Sequence, residues 1–119
     1  MAVLEILEHK GKKIHYMNFS SCDRRRMVAA IEEIEPQIEK EPANSILTLV
    51  DVDGIIFNTE ILKAFKEFTE HNKPHVKAGA VLGIKGVQKI AYDAVMRFSN
   101  RNLPIFETIE EAKDWLVQQ

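Results

Sequence analysis

Short apolar runs rich in strand formers alternate with longer stretches in which apolar residues recur every three or four positions. Val3-Leu4-Glu5-Ile6-Leu7 is the first run, and His9-Lys10-Gly11-Lys12 follows as a polar, glycine-bearing turn. Lys13 to Phe19 then spaces Ile14, Tyr16, Met17 and Phe19 as a half-buried strand does, so the chain is expected to open with an antiparallel hairpin. Ser20, Ser21 and Asp23 offer capping oxygens to a helix whose inner face is Met27, Ile31, Ile34 and Ile38. Pro36 lies inside that stripe; without an N–H and with its ring against the preceding turn, it predicts a kink or restart near Glu35.

Ser45 to Val50 is a nearly continuous apolar run, the pattern of a strand covered on both faces. A turn at Asp53-Gly54 leads through Ile55-Ile56-Phe57 to a cap at Asn58 or Thr59. The helix that follows presents Ile61, Leu62, Phe65 and Phe68 inward, and Asn72-Lys73-Pro74 stops it. Val76 to Ile84 reads as a second central strand. Val87, Ile90, Ala91, Ala94, Val95 and Phe98 then mark a third helical face, leaving Tyr92 and Met96 toward solvent. Leu103-Pro104-Ile105-Phe106 is a short strand whose proline puts it at an edge or a strand start. Thr108 with Glu111 forms a capping box, opening a last helix with Ile109, Ala112 and Leu116 inward. Strand, strand, helix and three strand–helix repeats imply an α/β fold with a mixed, mostly parallel sheet of about five strands and four helices.

Composition narrows the class. The 119 residues read as one unit, residues 1–119, without repeat, linker or biased segment, and 45% apolar residues suffice for a core. A formal charge of −2 supplies no field for nucleic acid or anionic lipid. The apolar runs are too short for a membrane span, and Glu5 interrupts the apolar start, so a cytoplasmic protein is expected. A lone cysteine, Cys22, excludes an internal disulfide.

The sharpest local signal is Leu49 to Glu60, where Asp51-Val52-Asp53-Gly54 resembles the first motif of haloacid-dehalogenase-type phosphatases. Phosphoaspartyl transfer also needs magnesium, further carboxylates and a lysine, and no later strand ends in a paired-acid motif. In that family the motif opens the fold, whereas here it follows two strands and a helix. Asp53-Gly54 therefore reads as a chain reversal where a strand leaves the core. An EF-hand loop fails on its third ligand and distal glutamate. Among the histidines, His71 and His75 are separated by the helix-ending Pro74, and His9 and His15 flank the hairpin turn; no metal and no cofactor are expected. Cys22, ahead of Arg24, Arg25 and Arg26, has the surroundings that lower a thiol pKa, but a catalytic thiol also wants a histidine beside it, and a buried or idle cysteine is the preferred reading. Lys85, Lys89, Arg97 and Arg101 recur at multiples of four, interrupted by Asp93, a basic ridge able to meet an acidic partner or a phosphate, although a solvated helix face with one internal ion pair is the preferred reading.

Three passages resemble STAS domains, in particular the SpoIIAA-like group of anti-sigma-factor antagonists with a CRAL-TRIO-related sheet. They are Ile46 to Phe57, the strand Ala80 to Ile84 with the helix bearing Arg97-Phe98, and the closing Phe106 to Leu116 with its Ala-then-Trp-Leu helix. The resemblance implies a non-enzymatic regulatory module of bacterial-type signalling that binds a protein partner, such as an anti-sigma or kinase-like regulator, with homodimerisation a further option. It places the partner or phospho-switch loop at Asp53, Gly54, Asn58, Thr59 and Glu60. In the family that loop carries Asp-Ser-Ser-Gly-Leu, and phosphorylation of a serine breaks partner binding. Phe57 to Leu62 here is one residue shorter and lacks both serines and the glycine, leaving Thr59 as the only hydroxyl. The alternative is a carrier of a small apolar or lipid-like ligand in a cleft lined by Phe57, Phe65, Phe68 and Phe98.

Overall fold

The computed structural model describes residues 4–86, 88–99 and 103–119, and leaves the side chains of Phe98 and Ser99 outside that description. β1 (Leu4–His9) and β2 (Lys12–Asn18) form the expected hairpin. Its tip is Lys10-Gly11, both with positive φ (49° and 81°), the two-residue geometry that matches strand twist. Asp23 caps α1 (Arg24–Glu39) by accepting from the Arg26 N–H at 2.9 Å. The helix buries Met27, Ala30, Ile34 and Ile38, with Ile31 half-buried beside them. It runs unbroken through Pro36, so the expected restart does not occur. Pro36 and Glu32 are both exposed, and the carbonyl that loses its donor can turn to water.

β3 (Ile46–Asp51) is buried along Ile46 to Val50. α2 (Thr59–Asn72) follows, then a 3₁₀ turn at Lys73–His75, then β4 (Val76–Leu82). α3 (Gln88–Ser99), β5 (Ile105–Phe106) and α4 (Ile109–Leu116) complete the order. Among the described residues the sheet runs β1-β2-β3-β4-β5, with β1 antiparallel and the other pairs parallel. Pro104 lies just before β5, which is an edge strand among the described residues, as the sequence predicts.

The two sheet faces are covered unequally. Side chains of α1, α2 and α3 pack with Met17, Val50 and Val81 on one face, where Phe19 meets Phe68 edge to face with centroids 5.3 Å apart. Such a ring pair adds about 0.5–1.5 kcal/mol to the burial of its area. Among the described residues the other face packs Ile14, Leu49, Ala80 and Leu82 against one helix, α4, through Ala112 and Leu116. α4 opens as expected, with the Glu111 N–H donating to Thr108 Oγ1 at 3.2 Å.

α3 corrects the sequence reading. Tyr92, Val95 and Met96 are its buried residues, while Ile90 is 74% exposed and Ala91 and Ala94 are half-buried. Tyr92 can go inside because its hydroxyl donates to the Leu103 carbonyl, satisfying the polar tip of a large apolar ring. Val87 and the Phe98 side chain, also expected inward, lie outside the described residues. Phe65 and Phe68 are closed into the core at 1% exposure.

Candidate interaction surface at the carboxyl ends of the strands

The four parallel strands end level with one another. Asn18 pairs with Asp51, Asp51 with Leu82, and Leu82 with Phe106, so the loops that follow leave from one row. Backbone bonds stitch those loops together: Phe19 N–H to Asp51 O (2.8 Å), Ser21 N–H to Asp53 O (2.7 Å) and Val52 N–H to Leu82 O (2.9 Å).

The two aspartates of the sharpest motif are placed differently. Asp51, half-buried, accepts the Tyr16 hydroxyl at 2.8 Å through Oδ2 and the Asp53 N–H at 3.0 Å through Oδ1. Burial of the Tyr16 ring, then the bond to and the charge of Asp51, pushes the phenol pKa well above its ordinary value. Asp53 is exposed and meets Lys85 Nζ at 3.3 Å. Among the described residues no three histidine, cysteine or acidic side chains are grouped so as to hold a metal ion.

Gly54 (φ +75°) turns the chain after Asp53, and a Cβ there would fall 2.8 Å from Ser21 Oγ. Gly83 (φ +92°) sits still closer to its neighbour loop, where a Cβ would fall 2.5 Å from the Asp53 nitrogen. Gln88 at the start of α3 donates through Nε2 to the Ile55 carbonyl at 2.7 Å, while its Oε1 accepts the Lys85 N–H at 3.1 Å. Asn58 is the cap of α2, accepting from the Ile61 N–H at 2.9 Å. Thr59 is thereby released from capping and stands exposed as the first helical residue. Glu60 is exposed and lies 3.4 Å from Arg24 of α1.

The basic ridge is not a single helix face. Lys85 precedes α3 and turns to Asp53; Lys89 and Arg97 are exposed on the helix, separated by about 12 Å of axial rise. Arg101 lies outside the described residues. Burial raises the Cys22 thiol pKa, outweighing the opposing pull of Arg26, so the nearby arginines do not activate the thiol. His71 donates to Glu39 at 2.8 Å, His9 to Asp114 at 2.7 Å, and His75 Nδ1 to the Glu41 carbonyl at 2.8 Å.

Two features of this surface escape sequence reasoning. Ile56 is 81% exposed although it sits in an apolar triplet, and Gln88 ties its loop to α3 close to exposed Ile90. A triplet of apolar residues gives no sign of which member the turn will expel; here Ile55 is buried, Phe57 half-buried and Ile56 exposed.

A mostly parallel five-stranded sheet with three helices on one face, one on the other and an antiparallel hairpin edge is a SpoIIAA-like α/β fold. A similar solved structure is that of an uncharacterised protein of the DUF3478 family from Shewanella loihica PV-4, with a SpoIIAA-like fold. The two share 19% identity over 95% of this chain and 91% of that one, with a TM-score of 0.60. No protein-family model and no curated protein matches the sequence. Among the described residues no helix is long and apolar enough to cross a membrane.

Proposed function

We propose that this chain is a non-enzymatic regulatory module that binds a protein partner, in the cytoplasm, through the β3–α2 loop and the first turn of α2. The observation that carries the reading is Ile56, a large apolar side chain 81% exposed on a loop held by bonds from Ser21, Lys85 and Gln88. A loop already ordered loses little freedom on association, so its apolar contact counts in full. Asp53, Asn58, Thr59 and Glu60 surround it with the polar rim usual at such surfaces. Thr59 offers a hydroxyl at the amino end of α2, where added phosphate would be electrostatically welcome and would set a double negative charge near Ile56.

The test compares immobilised wild type, Ile56→Asp and Lys113→Glu on α4 as baits in native lysate. A partner retained by wild type and by Lys113→Glu, but reduced about tenfold with Ile56→Asp, supports the reading. Equal retention by all three moves the interface elsewhere. Magnesium-dependent phosphate release that Asp51→Asn abolishes would make the protein an enzyme instead.

A further inference from the structure

The connections leaving β4 and β5 depart to opposite faces of the sheet. From β4 the chain passes Gly83 to Gly86 into α3, whose Tyr92, Val95 and Met96 join the three-helix face. From β5 it passes Glu107 and Thr108 into α4, whose Ala112 and Leu116 close the other face. Where neighbouring parallel strands send their loops apart in this way, a crevice opens beyond their carboxyl ends, and open α/β sheets bind ligands in such crevices. Here a groove of about 450 Å³ occupies that place, lined by Gly83, Ile84, Lys85, Gly86, Phe106 and Glu107. The volume is ample for a small metabolite.

Its two walls carry opposite charge. Lys85 stands on the β4 side and Glu107 on the β5 side, both exposed. Among the described residues Lys85 has one acidic partner, Asp53 at 3.3 Å, and Glu107 has no cation within ion-pair distance. Half-buried Ile84 and Phe106 line the same groove, the latter ring 5.7 Å from Trp115 and so backed by the α4 face. Gly86 leaves its part of the wall open, with no atom within 4 Å of where a Cβ would stand.

We propose that this crevice binds a small dipolar molecule of the α-amino-acid class with an apolar side chain. Its carboxylate meets Lys85, its ammonium meets Glu107, and its side chain rests on Phe106 and Ile84. A single exposed ion pair adds little to affinity, so a ligand must engage both charges and bury apolar area to be held. An acid or an amine of the same shape satisfies only one wall. Occupancy also competes with Asp53 for Lys85, which couples the crevice to the β3–α2 loop.

The test follows the backbone amide signals of Gly83 and Gly86 by NMR while L-leucine, 4-methylpentanoate or 3-methylbutylamine is added to the intact protein. Leucine is expected to shift both signals saturably, with each singly charged analogue at least about fivefold weaker. Lys85→Gln should reduce leucine to the level of the amine, and Glu107→Gln to the level of the acid. Asp53→Asn, which frees Lys85, should tighten leucine binding. Absence of a saturable shift with leucine, or equal affinity for all three probes, overturns the proposal. Neither result depends on whether the loop beyond Asp53 binds a protein.

Discussion

Asp53 and Lys85 face each other at the carboxyl end of the sheet, Oδ1 to Nζ 3.3 Å, joining the loop that enters α2 to the loop that enters α3. The side chains are 60% and 79% exposed, so solvent screens most of their attraction. The pair orients two loops more than it stabilises the fold. A double-mutant cycle with Asp53→Asn and Lys85→Gln, read by urea denaturation, should give a coupling energy below about 1 kcal/mol. A larger value would mean that the pair belongs to a wider network.

The closeness of those loops rests on backbone, and there the cost of a side chain is high. Gly83→Ala places a methyl 2.5 Å from the Asp53 nitrogen at φ +92°, and Asp53 cannot move without disturbing the Ser21 bond. We expect a loss of about 3 kcal/mol or more. Gly86→Ala meets no atom within 4 Å and bears only the strain of φ +56°, about 1 kcal/mol. Urea midpoints of the two variants separate clash from strain.

Tyr16 couples the second strand to the same loop by donating to Asp51 at 2.8 Å. Tyr16→Phe leaves that carboxylate oxygen short of a partner, and a loss of about 1–2 kcal/mol is expected near neutral pH. Because burial and Asp51 raise the folded-state phenol pKa, the folded chain holds a proton that the unfolded chain releases above about pH 10. Wild-type stability is therefore complete below that pH and falls as pH rises beyond it. Tyr16→Phe should lack this alkaline decline; an identical decline in both proteins would assign it to other groups.

Much of this architecture was legible in the sequence because its signals are local. The Lys10-Gly11 tip, the Asp23 cap and the Thr108–Glu111 box each depend on residues within a few positions, and the structure forms all three. The continuous burial of Ile46 to Val50 follows from composition alone. What failed depends on distant partners. α3 has two apolar stripes sharing Val95, and Tyr92 prevails because the carbonyl of Leu103, from another segment, accepts its hydroxyl. Lys85 looked like part of a helical ridge, but α3 begins only at Gln88, which leaves the lysine free to turn toward Asp53. The exposure of Ile56 likewise depends on how the Asp53-Gly54 turn is pinned by Ser21.

The hairpin tip and the last helix are fastened by Asp114, whose Oδ1 accepts from His9 at 2.7 Å and lies 3.1 Å from Lys10 Nζ. The bond from His9, followed by that from Lys10, holds the carboxyl pKa below its ordinary value. In the unfolded chain the same group titrates at about 3.8. Its contribution is therefore complete above that pH and is lost as pH falls through the lower folded-state value. Asp114→Asn should reduce stability at about pH 5 and should flatten the acid-side decline relative to wild type, as measured by urea midpoints stepped down to about pH 3. The carboxylate is open to solvent, so added salt should bring the two proteins together at about pH 5. A variant that keeps the wild-type acid slope at low salt would show that α4 is held to the hairpin by its apolar face, through Ala112 and Leu116, without help from this contact.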